Sequence, residues 1–214
     1  PSPLQVDDRE LCGSALLALG DLDAAIPILS EGVLRTTAGG PWRNRAHLGQ
    51  ALATAHLLAG RPDRAREVLE GTVQAIPVEG FEDPDRYLTR VNLATHAALA
   101  GWPELARSIR SRYPDHPDPD HWFARAGESL VDAALALDRG DGTGALRLLD
   151  LGFPPDVVPE GWRTWREMIR ARAHLLSGDP EAARGEWARA ATLSRLVKAY
   201  QTKDRMHAPL ARAA

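Results

Sequence analysis

The chain has 214 residues, 44% hydrophobic and 26% charged, with a formal net charge of -3, and that balance excludes wholesale disorder. A single cysteine, Cys12, excludes an internal disulfide framework and a multi-thiolate zinc site. The slight acidity argues against general nucleic-acid or anionic-membrane binding, and no apolar run approaches the roughly 18 residues of a membrane span.

The basic residues are almost all arginine, with Lys198 and Lys203 the only lysines, a bias that with abundant alanine points to a GC-rich genome. The sequence opens Pro-Ser-Pro with no initiator Met and no charged-then-apolar signal. That reads as an excerpt or a processed chain, and it places the protein in the cytoplasm.

In chain order, the first predicted helix pair spans residues 7–35 and turns at Gly20-Asp21. Cys12 falls at an apolar position there and is expected to be a buried, inert thiol. The second pair, 42–75, opens on Trp42, carries His56 near the end of its first helix and turns at Gly60-Arg61-Pro62. The third, 86–112, turns at Gly101-Trp102-Pro103, with Trp102 partly exposed.

Next comes Asp115-His116-Pro117-Asp118-Pro119-Asp120-His121, the one local run in which carboxylates and imidazoles alternate as metal ligands would. Nothing else supplies a pocket, so the run is expected to be a polar loop, with Asp120 capping the helix that begins near Trp122.

The fourth pair, 121–150, turns within Gly140-Asp141-Gly142-Thr143-Gly144, which lacks the Lys-Ser/Thr of a phosphate loop. The fifth, 162–201, opens on Trp162, holds Trp165 one turn further in and has His174 in the slot of His56. Three repeats separate those histidines, so they read as packing residues. Trp42, Trp122 and Trp162 read as wedges against the preceding pair. Residues 202–214 form a tail, a short capping helix or a frayed end. The connections 36–41, 76–85, 113–120 and 152–161 are rich in Pro, Gly and Asp, and none has the length of an interdomain linker. The expectation is one continuous domain, 1–214.

The five turns share one frame. Their glycines, Gly20, Gly60, Gly101, Gly140 and Gly178, are 40, 41, 39 and 38 residues apart. Seven residues before each stands a small residue: Gly13, Ala53, Ala94, Ala133 and Ala171. Five residues after each stands an alanine: Ala25, Ala65, Ala106, Ala145 and Ala183. Four further on a large apolar residue follows in Leu29, Leu69, Leu149 and Trp187, whereas the third copy has Arg110 beside Ile109. Small residues let two antiparallel helices approach closely, and glycine ends the first of them in a left-handed conformation. Pro62, Pro103 and Pro180 suit the first position of the second helix, and Asp179 is a better N-cap than Arg61 or Trp102.

This frame resembles the tetratricopeptide repeat, with Leu19-Gly20-Asp21-Leu22-Asp23-Ala24-Ala25-Ile26 the best single match, over roughly residues 7 to 200. The period is longer than the family's usual 34, and Asp132 and Arg170 stand where the first three copies have Cys12, Leu52 and Leu93. The resemblance implies an all-α, right-handed superhelical solenoid of antiparallel helix pairs. It also implies a concave groove lined by the first helix of each pair.

In this sequence the groove positions include His47, Gln50, Thr54 and Leu57, then Leu88, Val91, Thr95 and Ala98 with Arg90 beside them. They continue through Gly127, Leu130, Ala134 and Leu137 to Trp165, Met168, Arg172 and Leu175. Such a groove would take another protein, as an amphipathic helix or an extended apolar peptide. Arg163, Arg166, Arg170 and Arg172 make its last copy locally basic.

No nucleophile elbow, dinucleotide fingerprint or zinc-protease pair is present, so the reading is a non-enzymatic interaction scaffold without cofactor or metal. The alternative is a sensory segment of a larger bacterial transcription regulator that holds a small effector, since arrays of similar period resemble those attached to such regulators.

Overall fold

The computed structural model describes residues 3–37, 42–77, 84–113, 115–116, 118–153 and 160–193. Among them are ten α-helices and no strand, so the all-α class is the one observed. The chain divides into two compact units, Pro1–Phe81 and Glu82–Ala214. The first holds α1 (Pro3–Leu19), α2 (Leu22–Thr37), α3 (Trp42–Leu58) and α4 (Pro62–Ala75). The second holds α5 (Pro84–Leu99), α6 (Pro103–Arg112), α7 (Trp122–Asp138), α8 (Gly142–Gly152), α9 (Glu160–Leu176) and α10 (Pro180–Leu193). The expected continuation of α10 to residue 201 and the tail 202–214 lie outside the described residues.

The five repeat glycines end α1, α3, α5, α7 and α9, and each has a positive φ, between 73° and 82°. The hydrogen bonding is the same at each. The glycine N–H donates to the carbonyl three residues back, and the next N–H to the carbonyl five back. In α7 these are Gly140 N to Leu137 O at 3.0 Å and Asp141 N to Ala136 O at 3.0 Å. This double closure satisfies carbonyls that a helix end would otherwise leave unpaired.

The residue after each glycine then starts the return helix, its carbonyl accepting from the frame alanine, as Asp141 O does from Ala145 N at 3.1 Å. Where that residue is aspartate, its side chain also caps the helix. Asp21 accepts from Ala24 N at 3.1 Å, Asp141 from Gly144 N at 2.8 Å and Asp179 from Ala182 N at 3.0 Å. Arg61 and Trp102 make no side-chain cap, and in those two copies proline occupies the first helical turn.

Packing explains the remaining frame positions. Ala25, Ala65, Ala106, Ala145 and Ala183 are all fully buried, as are Ala53, Ala94, Ala133 and Ala171. Gly13 takes the small slot of the first pair, where an added Cβ would stand 2.5 Å from Leu29 Cδ2. Leu29, Leu69 and Leu149 are completely buried, each worth about 1.5–3 kcal/mol of transfer free energy. In the third copy Ile109 is the buried residue and Arg110 points aside. The glycine run 140–144 is also structural: a Cβ on Gly142 would stand 2.5 Å from Ala173 O, where α8 meets α9.

Two expectations are corrected. Cys12 is exposed, not buried. Among the described elements α1 packs on α2 and α3, and neighbouring Gly13 is the residue turned towards α2. Asp120 does not cap α7. His121 does, its Nδ1 accepting from Phe123 N at 3.3 Å, while the Asp120 N–H donates to Asp118 Oδ1 at 3.1 Å in a tight local turn.

Candidate functional site

In the first unit, the face proposed from sequence leaves several side chains at the surface. His47 is exposed on α3, and its Nδ1 lies 3.2 Å from Glu10 Oε1 on α1. Gln50 and Leu57 are half-buried, and Thr54 is buried.

The corresponding face of the second unit is packed against itself. Val91, Thr95 and Leu130 are fully buried, and Ala98, Ala134, Leu137 and Met168 nearly so. Gly127 explains how the helices come so close: a Cβ there would stand 2.7 Å from Tyr87 Oη, 2.8 Å from Val91 Cγ2 and 3.0 Å from Trp162. Trp162 is fully buried, stacks on Phe123 with ring centroids 4.7 Å apart and donates its indole N–H to Asn92 Oδ1 at 2.8 Å.

At the opposite end of the same face, Arg172 donates to Leu99 O at 3.2 Å. That carbonyl is the last of α5, and the Gly101 closure takes Ala97 O and Ala98 O but leaves it over. Burial pushes the Arg172 guanidinium below its ordinary value, with Asp138 offsetting part of the effect. α9 therefore reaches α5 at both ends, and Arg172 holds that contact. Trp165 and Leu175 are half-buried and pack on the cluster of Met168, Ala171, Ala183, Trp187 and Ala190.

The acidic-histidine run disperses its donors. Asp115 pairs with Arg90, His116 sits edge-on to Tyr87 and parallel to His121, and Asp118 N donates to His116 Nδ1 at 3.1 Å. Among the described residues no group of three or more His, Cys, Asp or Glu is placed to hold a metal ion. His56 and His174 are both half-buried. Burial chiefly, with Arg61 and Arg64, pushes His56 below its ordinary value.

Two ionic clusters escaped the sequence reading. The first joins α5, α6 and α7. Arg90 Nη2 lies 2.8 Å from Asp115 Oδ1 and 3.3 Å from Glu128 Oε1, and Arg110 Nη2 lies 2.8 Å from Glu128 Oε2. Arg110 also pairs with Asp132, and Tyr87 donates to Ala124 O at 2.8 Å and to Glu128 Oε1 at 3.2 Å. Burial alone would lower Arg110, but Glu128, Asp132 and Asp115 outweigh it and leave it above its ordinary value. Beside the cluster is a cleft of about 420 Å³, lined by Arg90, Arg107, Arg110, Ser111, Tyr113, Asp115 and Leu135.

The second cluster joins α9 and α10. Glu186 accepts from Arg170 Nε at 2.9 Å and pairs with Arg189 at 2.6 Å, while Arg170 also reaches Asp150 on α8 at 2.5 Å. Glu167 hydrogen-bonds the Glu186 carboxylate, and burial followed by that neighbour raises its pKa, so Glu167 keeps its proton more readily than an ordinary carboxylate. The sequence did carry a signal for both clusters. Arg110, Asp132 and Arg170 are the charged residues in slots that other copies fill with apolar ones.

No helix among the described residues is long and apolar enough to cross a membrane. Fold and site together define an all-α protein of repeated helix pairs. No family model, curated protein or solved structure matches the chain.

Proposed function

We propose that the chain is a non-enzymatic interaction scaffold of tetratricopeptide-like helix pairs, and that a peptide or helix of a partner protein binds across the first helices of its first two pairs. The observation that carries this reading is the face shared by α1 and α3. There Glu10, His47, Gln50 and Leu57 stand exposed or half-buried on helices locked by the repeat. Rigid helices displaying a mixed polar and apolar surface suit recognition of an amphipathic segment. The equivalent positions of α5, α7 and α9 are mostly used in packing, which makes the first unit the better place for a partner.

A photo-crosslinking amino acid placed at Gln50 or Leu57 tests this in a lysate of the source organism. The expected result is a discrete adduct of one protein at both positions and none at Arg66, which is exposed on α4. Equal labelling at Arg66, or no adduct at either groove position, would overturn the reading.

A further inference from the structure

We propose that the side of α1 turned away from α2 is a docking surface for a helix of a partner protein, and that this helix brings an arginine or lysine to Asp8. The repeat frame identifies the surface. In the second pair, the positions 12, 9, 8, 5 and 1 residues before the turn glycine are Leu48, Ala51, Leu52, Ala55 and Ala59. Leu48, Leu52 and Ala55 are buried, and Ala51 and Ala59 half-buried. The preceding helix α2 packs there, so closely that a Cβ on Gly32 would stand 2.8 Å from Leu48 Cδ2.

The same five positions on α1 are Asp8, Leu11, Cys12, Ala15 and Leu19, and all five are exposed. Leu11 and Leu19 are 72% and 75% exposed, and with Ala15 between them they form one apolar stripe along the helix. The charges beside Asp8 are engaged elsewhere. Arg9 reaches Glu31 on α2, and Glu10 reaches His47 on α3.

Two later pairs show what a charge at these positions requires of the helix that covers it. α7 carries Glu128 and Asp132 at the positions of Leu48 and Leu52, and the preceding α6 meets both with Arg110, 2.8 Å from Glu128 Oε2. α9 carries Arg170 at the position of Leu52, and the preceding α8 meets it with Asp150 at 2.5 Å. A carboxylate that a covering helix removes from water needs a cation in return. The occupant of the α1 surface therefore sets apolar side chains on Leu11, Ala15 and Leu19 and a cation on Asp8. A second copy of α1 does not fit, because its stripe brings another Asp8 and no cation. The surface excludes the Glu10 side of α1, where partner binding across α1 and α3 is proposed, so either proposal can fail alone.

Helical peptides copying residues 22–37 with Pro27→Ala, stapled on the side away from residue 32, test the surface on the full chain. One carries Gly32→Arg and the other Gly32→Glu, at the position that would meet Asp8. Affinity is read by fluorescence anisotropy, and occupancy by the alkylation rate of Cys12, the single cysteine, which lies within the stripe. The arginine peptide is expected to bind saturably, to slow Cys12 alkylation and to bind about fivefold tighter than the glutamate peptide. Asp8→Lys should reverse that preference, and Leu11→Asp should abolish binding of both peptides.

Equal affinity of the two peptides, a preference that survives Asp8→Lys, or binding that leaves Cys12 alkylation unchanged would overturn the proposal, as would no binding at all. A dimer in sedimentation equilibrium with Cys12 protected would assign the surface to a second copy and overturn the partner reading.

Discussion

Arg110 on α6 and Asp132 on α7 are ion-paired, and each stands in a repeat slot that most other copies fill with an apolar residue. In the third copy Ile109 fills the core beside Arg110, which leaves the Arg110 slot to a charge, and the next copy places a carboxylate where that guanidinium arrives. Their side chains are 35% and 39% exposed, so solvent screening keeps the pair modest. A double-mutant cycle with Arg110→Leu and Asp132→Leu, read by urea denaturation, should give a coupling energy of about 1 kcal/mol. Additive effects would mean that the ion pair contributes no coupling to stability.

The turn glycines should tolerate substitution least where φ is positive. Gly140, at φ 73°, has open space where a Cβ would go, so only the backbone opposes alanine there. Gly140→Ala should therefore cost about 1–2 kcal/mol. Gly71 in α4 also has nothing within 4 Å of an added Cβ, but it lies inside a helix. Gly71→Ala should stabilise by up to about 1 kcal/mol. Thermal melts of the two variants shifting in the same direction would contradict this account of the turns.

Much of the fold was legible because the repeat reports backbone geometry directly. A glycine every 40 residues or so, with small residues at fixed offsets, marks where two helices close on one another, and all five turns fall at those glycines. Position within the chain was not legible from the repeat. Cys12 shares a slot with the buried Leu52 and Leu93, yet no described element covers that side of α1. The helical cap by His121 was missed because imidazole is a less common cap than the adjacent Asp120 carboxylate. Apart from Arg189, three residues from Glu186, the Arg90 and Glu186 clusters depend on side chains 16 to 41 residues apart, a distance at which periodicity specifies which face a residue occupies but not which charge it meets.

Pro27 is an exposed residue inside α2, five residues past its start at Leu22. Proline that deep in a helix removes one backbone hydrogen bond and crowds the preceding turn. Pro27→Ala should raise stability by about 1–3 kcal/mol. An unchanged or lowered urea midpoint would show that the helix already accommodates the ring without penalty.

Glu167 and Glu186 should respond to pH in opposite senses. Burial and the neighbouring Glu186 raise the folded-state pKa of Glu167. Its contribution is therefore complete below the ordinary carboxylate value and is lost as pH rises towards the raised one. Burial opposes the charge on Glu186, but hydrogen bonds from Glu167, Arg189 and Arg170 prevail and lower it. That contribution is present above the ordinary value and is lost only in strong acid. Glu167→Gln, which keeps the hydrogen bond without the titration, should be more stable than wild type at pH 8, with the advantage vanishing near pH 4. A pH-independent difference between the two proteins would remove Glu167 as the titrating group.

His96 works against Glu167 across the same range. It is buried on α5, its Nε2 has no hydrogen-bond partner, and burial pushes its pKa down to about 4. The unfolded chain binds a proton at this site near pH 6.5 and the folded chain does not. Stability from His96 is therefore full above 6.5 and declines as pH falls towards 4, by roughly 3 kcal/mol at most.

Glu167 gains stability over that interval, so the wild-type profile should be flatter than either residue alone would make it. Separating them requires both variants. His96→Leu should leave a profile that rises as pH drops from 7 to 5, and Glu167→Gln one that falls. Identical slopes in the two variants would show that neither group governs the acid limb.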